Sequence, residues 1–139
     1  MNTTPAPRPR ILVVDDNPTN LELVRYLLHA AGFAVATATG GAEALAQARL
    51  QVPELVITDL QMPGMDGHAL LDALRSDPGL RHVPVMALTA ASMAGEEERV
   101  RGAGFDAYLS KPFEPEDFAQ RITALLRSLS PPSSAVPHP

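Results

Sequence analysis

Short apolar runs rich in β-branched residues recur along the chain. They lie at Ile11–Val14, Leu55–Thr58 and Val83–Leu88, with weaker runs at Phe33–Ala38 and Phe105–Leu109. A segment of helical period follows each one. After the first run, Leu21, Val24, Leu28 and Ala31 fall on one helical face, reinforced by Leu27; near the end, Phe118, Ile122, Leu125 and Leu129 do the same. Helix punctuation agrees: Asn17-Pro18 reads as an N-cap with proline at the first helical position, and Gly32 as a stop. Five strands alternating with five helices predict an α/β fold, a parallel sheet with helices on both faces. The second and fifth runs are the weaker ones, as edge strands should be. In such sheets ligands sit beyond the carboxyl ends of the strands, so those ends are where chemistry is expected.

Composition narrows the picture. A chain of 139 residues that is 45% hydrophobic is long enough for one domain with its own core. No apolar stretch approaches the roughly 18 residues of a membrane span, and MNTTPAPRPR lacks the apolar centre of a signal peptide. With no cysteine, disulfides and thiolate metal sites are excluded, and a cytoplasmic protein without membrane insertion is expected. The two ends are rich in Pro, Ser and Thr. We expect disordered tails at residues 1–8 and 130–139 around an ordered domain at 9–129, neither tail being long enough for an output domain. A net charge of −5 argues against a nucleic-acid partner. Of the 11 basic residues only Lys111 is a lysine, and it stands just before Pro112, where a compact, movable point charge has a use.

The predicted strand ends carry the candidate chemistry. The first delivers Asp15-Asp16, the third Asp59, the fourth Thr89 and the fifth Lys111. Carboxylates so placed repel one another, by roughly 4 kcal/mol for a pair about 4 Å apart at a surface-like dielectric, so something must offset them. An oxygen-rich, partly hydrated site of this kind suits Mg²⁺. A carboxylate can form an acyl phosphate if the phosphoryl group is held in line and its oxygens are neutralised. Asp59, on the central strand, is the expected nucleophile; Lys111 would add a positive charge and Thr89 a hydrogen bond.

Four pieces of sequence carry a resemblance: ILVVDDN at 11–17, DLQMPGMDG at 59–67, ALTA at 87–90 and YLSKPF at 108–113. In this order and spacing they are highly specific, and residues 10–129 resemble the receiver domain of bacterial two-component response regulators, of the single-domain chemotaxis or cell-polarity type. The resemblance implies a flavodoxin-like sheet of strand order 2-1-3-4-5. It implies phosphorylation of Asp59 by a histidine kinase or a histidine phosphotransfer protein, with Mg²⁺ as cofactor. Asp16, Asp59 and the Gln61 backbone carbonyl would be direct metal ligands, with Asp15 acting through water. Thr89 and Tyr108 would be the switch pair, Thr89 moving toward the phosphoryl group and Tyr108 turning inward behind it. Lys111-Pro112 matches a peptide bond usually cis in the family. Output would pass to a protein effector through the face made by the fourth helix, fifth strand and fifth helix, from a monomer or a phosphorylation-linked dimer. The implied product is a signalling module that catalyses only its own phosphoryl transfer and autodephosphorylation. Family members vary at the positions of Gln61 and Ala91, whose side chains help set the acyl-phosphate lifetime.

Plainer readings compete at several positions. Alone, Asp15 and Asp16 serve equally well as charges at the positive end of a helix; beside Asp59 the site reading prevails. Asp66-Gly67 reads as a turn and helix start, and Met62-Pro63-Gly64 as loop geometry. His29, His68, His82 and His138 have no metal-like spacing. Glu96–Glu98 reads as a solvated face of the fourth helix, which Gly95 would weaken. Two other functions share the fold pattern. A phosphoaspartyl hydrolase would need a second acid two residues after its nucleophile, where this chain has Gln61. A flavin binder would want an N–H-rich phosphate loop after the first strand, where Asp15-Asp16 would repel it.

Overall fold

The computed structural model describes residues 8–62, 64–89, 95–110 and 115–129. Its strands are β1 (Arg10–Val14), β2 (Ala34–Ala38), β3 (Leu55–Asp59), β4 (Val85–Thr89) and β5 (Ala107–Ser110). They alternate with helices α1 (Pro18–Ala30), α2 (Gly41–Leu50), α3 (Gly67–Ser76), α4 (Glu96–Gly102) and α5 (Pro115–Leu129). All four neighbouring pairs are parallel, and the sheet order is β2-β1-β3-β4-β5, as expected from the sequence. The edge strands are the less buried ones: β2 is half-buried over most of its length, whereas β4 is buried throughout.

Alternation along the strands divides the interior in two. Leu12, Val14, Val56, Val85 and Ala87 face α2, α3 and α4, packing on Ala44, Ala48, Leu70, Leu74 and Val100. Ile11, Val13, Leu55, Ile57, Met86 and Leu88 face α1 and α5, packing on Leu21, Val24, Leu28, Phe118 and Ile122. The predicted face of α1 is therefore correct except at its end. The helix stops at Ala30, Ala31 is an exposed cap residue, and Gly32 takes the left-handed conformation, φ 98°, that ends it. Gly95 is a second refinement: it precedes α4, with φ 81°, instead of lying inside it.

At the amino ends of the strands Arg75, from the last turn of α3, ties several segments together. Its guanidinium donates to the carbonyls of Val83 (2.7 Å) and Arg81 (3.2 Å) and to the Asp106 carboxylate (2.8 Å). Asp106 in turn accepts from the Val85 N–H at 2.8 Å, so α3, the head of β4 and the approach to β5 are held through one ion pair. Among the described residues no helix is long and apolar enough to cross a membrane.

Candidate functional site

At the carboxyl edge β1 and β3 run side by side in register, Val14 opposite Thr58, so the residues that follow emerge together. Asp15 is buried. Its N–H continues the ladder to the Ala38 carbonyl at 3.1 Å, and its Oδ1 accepts from the Asn17 N–H at 2.9 Å. Asp16 is exposed. Asn17 caps α1 as the sequence predicts, its side chain accepting from the N–H groups of Thr19 (2.9 Å) and Asn20 (3.2 Å), with Pro18 in the first turn. The cap turns the chain sharply after Asp16, which keeps both aspartates at the mouth of the sheet.

Asp59 ends β3, half-buried, and its Oδ1 accepts from the Gln61 N–H at 3.1 Å. One carboxylate oxygen from each of Asp15, Asp16 and Asp59 lies within 4.8 Å of the others. Within that limit two full charges repel by roughly 3.5 kcal/mol or more at an effective dielectric of 20. The donor set fits a small hard cation, since every candidate donor is oxygen. A groove of about 420 Å³ lined by Leu60, Gln61, Met62 and Asp66 opens beside the cluster.

Thr89 ends β4 and is buried. Tyr108 pairs with Ala87 across β4 and β5, two residues before Thr89 and on the same face of the strand. The small Ala87 leaves space for the ring, which is buried in the core toward α4. The Tyr108 hydroxyl donates to Glu96 Oε1 at 2.9 Å. Burial, then the hydrogen bond and charge of Glu96, push the phenol above its ordinary pKa. The structure thus brings Asp15, Asp16, Asp59 and Gln61 together and aligns Thr89 with Tyr108. Lys111, with its Pro112 bond, and Ala91 lie outside the described residues.

Three contributors escape sequence reasoning. Glu96 is half-buried against Tyr108 instead of solvated, correcting the reading of Glu96–Glu98 as one exposed face; Glu97 and Glu98 are exposed. Gly67 is the second: a Cβ there would stand 2.6 Å from the Asp59 carbonyl oxygen and 2.9 Å from Leu60 Cα. Gly41 is the third, since a Cβ would meet Met65 Cγ at 2.6 Å and the Met65 carbonyl at 2.8 Å. Both glycines let the β3–α3 loop, which carries Gln61, seat against neighbouring backbone. Asp66 is an N-cap, accepting from the Ala69 N–H at 2.9 Å, as its turn reading anticipated.

A parallel sheet of this order with acidic strand ends defines the class, and comparison with known proteins agrees. The family model of the response regulator receiver domain matches residues 11–123, and the chain belongs to that family. It is a signalling module, the receiver domain of a two-component response regulator. It is 40% identical over 116 residues to the polar-differentiation response regulator DivK of Brucella ovis, spanning 84% of this chain and 94% of that protein. Among solved structures it resembles the signal receiver domain of a histidine kinase from Syntrophus aciditrophicus, with TM-score 0.80, 33% identity, and 88% and 93% of the two chains covered. It also resembles the chemotaxis protein CheY4 of Vibrio cholerae, with TM-score 0.79, 30% identity, and 85% and 98% covered.

Proposed function

We propose that this chain is a phosphorylation-activated switch that accepts a phosphoryl group on Asp59 and thereby changes its affinity for a protein partner. The observation that supports it most is the convergence of three carboxylates at the ends of two adjacent strands, with Asp59 the one whose strand is central. The donor is a histidine kinase or histidine phosphotransfer protein. An Asp59 carboxylate oxygen attacks phosphorus, the P–N bond to the donor imidazole breaks with its electron pair going to nitrogen, and an acyl phosphate forms. Hydrolysis by water later returns the carboxylate and inorganic phosphate, the autodephosphorylation that resets the module.

Asp16, Asp59 and the Gln61 carbonyl would hold Mg²⁺, with Asp15 reaching it through water; when bound, the ion supplies positive charge toward the phosphoryl oxygens. Asp15 is oriented for this by the Asn17 N–H, and Asp59 by the Gln61 N–H. Lys111 adds a cation and Thr89 a hydroxyl that moves to the phosphoryl group, Tyr108 occupying the space behind it. The readout face is formed by α4, β5 and α5, and the active form is a monomer or a phosphorylation-linked dimer. The receiver unit is residues 9–129, acting in the cytoplasm. DivK's role in polar differentiation and CheY4's in chemotaxis make a protein target in cell polarity or motility the reading we favour.

Intact mass after incubation with acetyl phosphate, with and without Mg²⁺, tests this directly. One added phosphoryl group that requires both Mg²⁺ and Asp59 is expected. No adduct under conditions that preserve acyl phosphates, or an adduct retained in Asp59→Asn, would overturn it.

A further inference from the structure

We propose that Glu96 is the positioning residue of the switch: its carboxylate holds the Tyr108 ring in the buried setting and ties the first turn of α4 to that ring. This rests on the functional reading above. α4 is only 7 residues long and its one buried residue is Val100. It starts from a left-handed Gly95 that offers no side-chain cap. Among the described residues its packing on the sheet is anchored by the Val100 side chain toward one end and by the Glu96–Tyr108 hydrogen bond of 2.9 Å at the other. The neighbouring acids are used differently: Glu97 pairs with Arg101 at 3.1 Å along the exposed face, and Glu98 is exposed. Tyr108 is fixed from the other side as well, its carbonyl accepting from Arg121 of α5 at 3.0 Å. That bond holds the strand backbone at Tyr108 without engaging the ring.

A ring that leaves its pocket must break the bond to Glu96, so ring position and the α4 first turn are coupled through that contact. Phosphorylation that favours the buried ring must, by linkage, be favoured by whatever keeps it buried. Removing the Glu96 carboxylate then lowers the equilibrium stability of the phosphorylated form as well as releasing α4.

The chain has 2 tyrosines and no tryptophan, and Tyr26 is 69% exposed, so Tyr26→Phe leaves Tyr108 as the sole phenol at little structural cost. In that background the phenol is titrated by ultraviolet absorbance with Glu96 intact, Glu96→Gln and Glu96→Ala. Both substitutions are expected to move the midpoint down. An unchanged midpoint overturns the contact. In the second arm, the ratio of phosphorylated to free protein at the acetyl-phosphate plateau should fall about threefold to tenfold in Glu96→Ala, the factor one hydrogen bond of ordinary net strength contributes, with Glu96→Gln keeping most of it. In Tyr108→Phe, Glu96→Ala should add nothing further; independent, multiplying effects would overturn the coupling. Failure of the parent chain to take label would sink the functional reading and the switching half of this proposal together. The titration would still decide whether Glu96 holds the phenol.

Discussion

Gly67→Ala puts the geometry of the site under the most direct strain. The added methyl would lie 2.6 Å from the Asp59 carbonyl oxygen, 2.9 Å from Leu60 Cα and 3.3 Å from the Asp59 carbonyl carbon, where ordinary contact begins at 3.4 Å. All three neighbours are backbone, so no flexible side chain can yield; either the first turn of α3 or the end of β3 must move by several tenths of an ångström. Overpacking of this kind costs about 1–3 kcal/mol. Helix propensity returns at most about 1 kcal/mol, and less at a first helical position. The net loss should be about 1–2 kcal/mol, read as a fall in melting temperature of roughly 3–10 °C for a domain of this size. The site suffers as well, because the displaced backbone is that of Asp59 itself, and a misplacement approaching 1 Å costs up to about a hundredfold in rate. We expect acetyl-phosphate labelling to slow about tenfold while circular dichroism stays that of a folded α/β protein. Gly102→Ala is the control: it lies in α4 with open space around its Cβ position and an ordinary φ, and should stabilise by about 0.5–1 kcal/mol. If Gly67→Ala melts and labels like the parent chain, the close seating of α3 on Asp59 has been misjudged.

Other outcomes follow from the same geometry. Mg²⁺ should raise the melting temperature of the parent chain, and Asp16→Asn and Asp59→Asn should each abolish most of that gain while folding normally; a metal-dependent rise that survives in both variants would contradict the carboxylate cluster as the binding site. Asp106→Ala, at the far end of the sheet, removes the carboxylate that accepts from the Val85 N–H and from Arg75, which keeps its carbonyl partners, and should cost about 1–2 kcal/mol in urea unfolding, with the labelling rate unchanged. The phenol of Tyr108 is raised in the folded state by burial first and Glu96 second, so its contribution is fully present below the ordinary tyrosine value of about 10 and is lost as pH climbs through the higher folded value. In the Tyr26→Phe background, stability should therefore fall at alkaline pH more steeply with Tyr108 than with Phe at position 108, and equal slopes would remove the case for a perturbed phenol.

Much of this was legible because the information is local. Ile11–Val14 and Leu55–Thr58 read as buried strands from consecutive residues, and the turn after Asp16 from Asn17-Pro18 alone. The acidic site follows once parallel strands are inferred, since Asp16 and Asp59 each stand at the end of a recognisable run. Contacts that bridge elements far apart in sequence were not legible. The Glu96 side chain meets Tyr108 only because α4 packs against β5, and nothing within the run of three glutamates distinguishes the first from the others. Gly67 looks like an ordinary turn residue until the Asp59 carbonyl is placed beneath it. Arg75 is one arginine among many in the sequence, and its role as a clamp depends on carbonyls supplied by residues 81 and 83 and an acid at 106.

The sheet is also a partition. Tyr108 and the α4 contacts belong to one interior compartment, while Leu21, Val24, Leu28, Phe118 and Ile122 fill the other, with only the strands' backbone between them. Volume changes around Leu21, Val24 and Leu28 of α1 fall in the compartment across the sheet from the tyrosine ring. Substitutions among the α1 residues of that second compartment should thus leave the tyrosine pocket as it is, whereas α5 is tied to both sides, filling one compartment with Phe118 and Ile122 and holding the Tyr108 carbonyl through Arg121.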